Sequence, residues 1–213
     1  MPVTGLYFIQ ETTTPPAISI LTDRLSKRHQ PIPLGRWTFE HRLLRENPPP
    51  LPTTPSSPTS PQQSPQQPAP LQQHKFMQWL DLSYHPYMLF ILADKQIVTS
   101  EREFELIVRS KMASMWTVRQ TLRAVGYGYE VDDFRVRIAD LTQGDQVKGV
   151  VVEIEYTPCS YIEQGEGIIR DFMAGLQPPD GRFTFAPNEG YESGREWTLL
   201  DTGRQYCEIL RFR

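Results

Sequence analysis

The chain has 213 residues, of which 38% are apolar, with a formal charge of -3 and a pI near 5.8. That length is enough for one substantial core, while the slightly acidic balance argues against a general binder of nucleic acid or anionic membrane, which needs a strong basic excess. The longest apolar run, Tyr87 to Ala93, is strand-length and far short of the roughly 20 residues of a membrane span, so proteins are the expected partners, with no membrane and no direct sequence-specific nucleic acid.

The start, Met1-Pro2-Val3-Thr4-Gly5, lacks the basic and apolar segments of a leader peptide. Val3 to Gln10 is rich in β-formers and predicts an opening strand. Thr14 is placed to cap a helix with Pro15 in its first turn, Ile18, Leu21 and Leu25 on one face, and Lys27 and Arg28 near its end. Pro31 and Pro33 stop it. Trp37 and Phe39 alternate with polar residues in a second strand that runs to about Arg45.

From Asn47 to Gln73 no residue is charged or aromatic, and 10 of the 20 prolines fall between Pro48 and Pro70. Such a segment buries too little apolar surface to offset its ordering entropy, and it predicts a disordered insertion inside one domain spanning 1–213. Thr54, Ser57, Ser60 and Ser64 each precede a proline and are candidate acceptors for proline-directed phosphorylation, which adds up to about two negative charges per site. A passive soluble linker is the alternative.

Strand-like segments resume at Lys75 to Ser83, Tyr87 to Asp94 and Gln96 to Thr99, the last two joined at Lys95. Ser100 then predicts the cap of a helix from Glu101 to about Met112, with Glu103 at the capping-box position and Phe104, Ile107 and Val108 as its stripe. Trp116, Val118, Leu122 and Ala124 at even positions predict a strand. Asp133 to Tyr156 reads as a hairpin: Phe134, Val136 and Ile138 alternate with Arg135 and Arg137, and Val150, Val152 and Ile154 alternate with Val151, Glu153 and Glu155. Gly144 and Asp145 supply its turn.

Pro158 ends the sheet run. Ile168, Ile169, Phe172, Met173 and Leu176 predict a short helix, Arg182 to Phe185 a short strand, and Trp197, Leu200, Cys207 and Leu210, with Gly203 among them, a terminal helix from about Arg195. The pattern is α+β, an antiparallel sheet or barrel with helices packed outside it. The terminal stripe is core or, with Trp197 at its entry, a docking element for a protein partner.

Two chemistries are open for Glu153 and Glu155. Two carboxylates two residues apart on a strand project to one face and are placed to share a divalent cation, with Arg119, Arg123, Arg135 and Arg137 to hold phosphates; that is a metal-dependent phosphohydrolase. The other reading is the solvated face of amphipathic strands, since two acidic ligands fall short of the six or more oxygens a hard cation wants. The histidines His29, His41, His74 and His85 are scattered. Gly126-Tyr127-Gly128 and Gly165-Glu166-Gly167 lack a third glycine and read as turns. Cys159 and Cys207 lack metal-type spacing and suit a reducing compartment.

Ser110-Lys111-Met112-Ala113-Ser114-Met115-Trp116, Arg119-Gln120, Phe134 to Leu141, and Lys148 to Cys159 resemble subunit 20 of the Mediator complex in a fungal form. Val3 to Phe8 and Asp201 to Leu210 fit that family in position and character. The resemblance implies an antiparallel β-barrel flanked by helices, distantly similar to the tunnel fold of metal-dependent RNA triphosphatases but without their enzymatic role or a cofactor. It also implies a nuclear coactivator scaffold of the Mediator head module, paired with subunit 18 beside subunit 8 and other head subunits, helping to couple activators to RNA polymerase II and the TATA-binding protein.

Overall fold

The computed structural model of the chain describes residues 1–10, 16–48, 75–185 and 193–211. Among these residues nine strands and four helices are formed in the order β1 (Val3–Gln10), α1 (Ala17–Arg28), β2 (Ile32–Glu46), β3 (Phe76–Leu82), β4 (Met88–Ala93), β5 (Gln96–Glu101), α2 (Phe104–Lys111), β6 (Trp116–Val131), β7 (Phe134–Gln143), β8 (Gln146–Tyr156), α3 (Ile162–Gly175), β9 (Arg182–Thr184) and α4 (Leu199–Ile209). Every pairing is antiparallel, in the spatial order β5-β4-β3-β2-β6-β7-β8-β1-β9. The fold is α+β, as expected.

The sheet is curled like a barrel. In the strand order β5 and β1 stand seven places apart, or about 34 Å in a flat sheet at roughly 4.8 Å per strand. Yet both touch α4, and a helix is only about 10 Å across. Leu6 and Phe8 of β1, Phe39 of β2, Leu80 of β3, Phe90 of β4 and Ile97 of β5 accordingly share one cluster with Tyr206 and Cys207 of α4. Hydrogen bonding does not close the ring, because β5 and β9 remain edges. The terminal helix fills the concavity instead, which corrects the expectation that all helices pack outside.

The other three helices cover the convex face. Leu21 and Leu25 of α1 and Ile169 and Met173 of α3 pack with Val136, Val150, Val152 and Ile154, while Val108 of α2 packs with Leu44, Met77, Trp79 and Ile91. Burying each such side chain contributes about 1.5 to 3 kcal/mol. Because β8 has a helix layer on one side and the filled concavity on the other, Gly149 to Glu155 are buried without a break. The charged face of the hairpin therefore turns into the polar interior of the concavity and not to water along this stretch.

Several local expectations shift. The first helix begins at Ala17 with Pro16 at its N-cap position and no side-chain cap, and Thr14 and Pro15 lie outside the described residues. The second strand starts at Ile32, five residues before Trp37, with a register shift between Pro33 and Gly35. Ser100 is not a helix cap: it pairs with Leu89 in the β4–β5 ladder, and that pairing, which continues to Glu101, outcompetes the local capping signal. Gly126-Tyr127-Gly128 lies inside β6 and Gly165-Glu166-Gly167 inside α3, so neither is a turn. Gly165 is required for contact, since a Cβ there would lie 2.9 Å from the Val3 Cβ where α3 rests on β1. The proline-rich stretch falls almost wholly between the described residues, so Thr54, Ser57, Ser60 and Ser64 lie outside them.

Candidate functional site

The β7–β8 register sets Arg137 opposite Glu153 and Arg135 opposite Glu155. Facing residues of an antiparallel pair share a face, and here it is the concave one. Glu153 is 1% exposed, Glu155 7% and Arg137 9%. Arg137 donates from Nη1 to Glu153 Oε1 and, at 3.1 Å, to Glu155 Oε2, while Arg135 Nη1 reaches Glu155 Oε1 at 3.2 Å. The second oxygen of Glu153 accepts from the hydroxyls of Tyr84, at 3.0 Å, and Tyr206. The Arg137 guanidinium carbon also lies 4.3 Å from the centroid of the Tyr84 ring.

All four carboxylate oxygens therefore accept from the chain itself. Burial pushes the Tyr84 and Tyr206 hydroxyls well above the ordinary tyrosine range, and the adjacent Glu153 adds to it, so both stay protonated as donors. Burial alone would disfavour the Arg137 charge, but the Glu153 and Glu155 carboxylates beside it outweigh that effect and raise its pKa. Glu153 and Glu155 do share one face, salt-bridged to the arginines of the facing arm. The pair is neither a solvated face nor an open set of cation ligands; it is one side of a buried ion network. The four arginines do not converge, because Arg119 is exposed on a register irregularity of β6 and Arg123 pairs with Glu40 on the convex face. Among the described residues no group of three or more His, Cys, Asp or Glu is placed to hold a metal ion.

The terminal stripe takes the first of its two expected places, the core. Trp197, Cys207 and Leu210 are buried in the chain's own clusters, and Leu200 is half-buried against one of them. Trp197 lies ahead of the helix and donates from its indole nitrogen to Thr202 at 3.0 Å. Burial pushes the Cys207 thiol up to about 12, a spectator in the core. Of the histidines, His41 is fully buried and holds Gln78 at 2.9 Å; His74 lies outside the described residues.

A surface groove of about 330 Å³ opens on the convex side, between α2 and strands β2 and β6. Leu44, Trp79, Val108, Trp116 and Val118 make its apolar floor and walls. Arg42, Arg109 and Arg123 stand around it with Glu40. Arg42 bridges Glu40 and Glu105, Arg109 reaches Glu105 through Nε at 3.4 Å, and Arg123 reaches Glu40 through Nε at 2.7 Å. The Glu40 carboxyl is held below its ordinary range, because Arg123 and Arg42 together outweigh the opposing effect of burial. Sequence reasoning placed Trp116 and Val118 on one strand face but had no signal that α2 and Trp79 would meet them.

The family model described as TATA-binding related factor (TRF) of subunit 20 of Mediator complex matches residues 1–211. The chain is similar to Mediator of RNA polymerase II transcription subunit 20 of Schizosaccharomyces pombe, with 24% identity over 174 residues, 81% of this chain and 76% of that protein. The same-named protein of Yarrowia lipolytica is 24% identical over 193 residues, 83% of this chain and 85% of its own length. That of Anopheles gambiae is 28% identical over 149 residues, 63% of this chain and 68% of its own. Among solved structures, the PH1012 protein of Pyrococcus horikoshii OT3 is similar at 12% identity and a TM-score of 0.45, over 84% of this chain and 92% of that one.

Proposed function

The chain belongs to the family of subunit 20 of the Mediator complex, and on that footing we propose that it is a non-enzymatic subunit of the Mediator head module, a nuclear coactivator scaffold in RNA polymerase II transcription. The family match across residues 1–211 is the observation that carries this reading. It is supported by the relatives named as Mediator subunits and by the economy of the interior, where Arg137, Glu153, Glu155 and Tyr206 satisfy one another rather than await a substrate. The surface offers association instead: Val125 and Tyr127 are exposed side by side on the same face of β6, and exposed apolar residues grouped in this way mark protein contacts.

On this reading the lasting partner is Mediator subunit 18, with subunit 8 alongside and RNA polymerase II and the TATA-binding protein as wider contacts. Thr54, Ser57, Ser60 and Ser64 are then sites where phosphorylation would adjust those contacts. Co-expression with subunit 18 and the C-terminal part of subunit 8, followed by size exclusion and light scattering, tests it. A stable co-eluting complex at micromolar concentration is expected; elution of this chain as a monomer with both partners present overturns the assignment.

A further inference from the structure

We propose that the groove between α2 and the convex face of β2 and β6 is a docking site for an acidic segment of a partner protein that anchors aromatic or leucine side chains between Trp79, Trp116 and Val118. At about 330 Å³ the groove takes a few large side chains and not a folded domain. Its floor has the composition that dominates interface energetics, with two tryptophans in a walled apolar setting ringed by arginines. Val118 is half exposed while Trp79 is buried, so the groove is open at one wall and closed at its base.

The rim chooses the partner's charge. Glu40 and Glu105 are only 22% and 23% exposed, and each already accepts from two arginines. Arg109 and Arg123 are each 68% exposed and engage those carboxylates through Nε, so much of each guanidinium stays open to solvent. Three arginines against two carboxylates leave a net positive rim whose free ends are guanidinium forks, the geometry that binds a carboxylate bidentately. A second copy of the chain meeting the groove about a two-fold axis would bring the same arginines together, so an acidic partner of different sequence fits better.

The proposal needs no particular Mediator subunit, so loss of the subunit 18 complex and loss of groove binding are separate results. Random 12-residue peptides displayed on phage are selected against the full chain, and the enriched peptides are measured by fluorescence polarisation. Expected are sequences combining Asp or Glu with Trp, Phe or Leu. Their affinity should fall at least tenfold in Val118→Arg, which fills the groove from an exposed strand position, and also in Ala113→Trp, which fills it from the opposite wall. The pair Arg109→Glu and Arg123→Glu should weaken binding tenfold or more and flatten its salt dependence. No enrichment, enriched peptides without acidic residues, unchanged binding by both filled grooves, or a change of oligomeric state in Val118→Arg that reveals a second copy as occupant would each overturn the proposal.

Discussion

Tyr206 donates its hydroxyl hydrogen to Glu153 and so fastens the helix that fills the sheet's concavity to β8, an inner strand of the sheet. The same carboxylate neutralises Arg137 on the next strand. One side chain thus joins the C-terminal helix, β8 and β7, in a place where leaving any one group unpaired is costly.

Glu153→Gln removes the nearer of the two carboxylates that compensate buried Arg137, with Glu155 left to it. A loss of about 3 kcal/mol in urea unfolding is expected. Tyr206→Phe removes one donor among three and should cost about 1 to 2 kcal/mol. Equal and negligible losses in both would show the network to be energetically idle.

His41 supplies a pH dependence. Burial lowers its pKa to about 4, against the opposing bond to Gln78. Above the ordinary value near 6.5 both folded and unfolded forms are neutral and the full stability is present. As pH falls below that value the unfolded chain takes up a proton that the fold excludes, so stability declines until about pH 4, by about 3 kcal/mol in total. His41→Gln should remove this component: between pH 7 and 4.5 its unfolding free energy should fall less steeply than that of the unaltered chain, the carboxylates being common to both. Parallel curves would refute the assignment.

The hairpin, the opening strand and the amphipathic stripe of α3 were legible because each is fixed by residues a few positions apart. What the alternation of β8 could not disclose is what covers each face. Val152 meets a helix layer and Glu153 meets Tyr206, 53 residues away. Charged residues usually face water, so the pattern spoke for a solvated face, and only the long-range curl of the sheet reverses it. The Trp79 and Trp116 groove was hidden for the same reason, since its walls come from β2, β3, α2 and β6. Family resemblance came through where spacing alone was silent.

Gly203 is set by contact. A Cβ at that position would lie 2.5 Å from Phe90 Cδ1, where α4 presses on β4. Alanine is the better helix former by about 1 kcal/mol, yet Gly203→Ala should destabilise the chain by about 1 to 3 kcal/mol through overpacking. Phe90→Leu in the same chain should return part of that loss. A thermal midpoint that rises in Gly203→Ala alone would mean that the helix stands off the sheet.

The ends of β2 and β3 bear on the proline-rich stretch between them. Arg45 pairs with Phe76, and the Glu46 N–H donates to the Lys75 carbonyl at 3.0 Å, so the two strands meet as if a short turn joined them. Asn47 is tied down independently: its N–H donates to the Met115 carbonyl at 2.7 Å, its Nδ2 to the Ser114 carbonyl at 2.9 Å, and its Oδ1 accepts from Thr117 at 2.7 Å. Replacing the 26 residues 49 to 74 with Gly-Asn-Gly-Ser should therefore leave the ladder intact. Each halving of loop length relieves about 0.6 kcal/mol of closure entropy, so the shortened chain should be more stable by about 1 to 2 kcal/mol. For a chain of this size that is a rise of a few degrees in thermal midpoint. Asn47→Ala, by contrast, should lower the midpoint with the stretch present or absent. A fall of more than a few degrees on replacement would show that residues 49 to 74 contribute packing to the core.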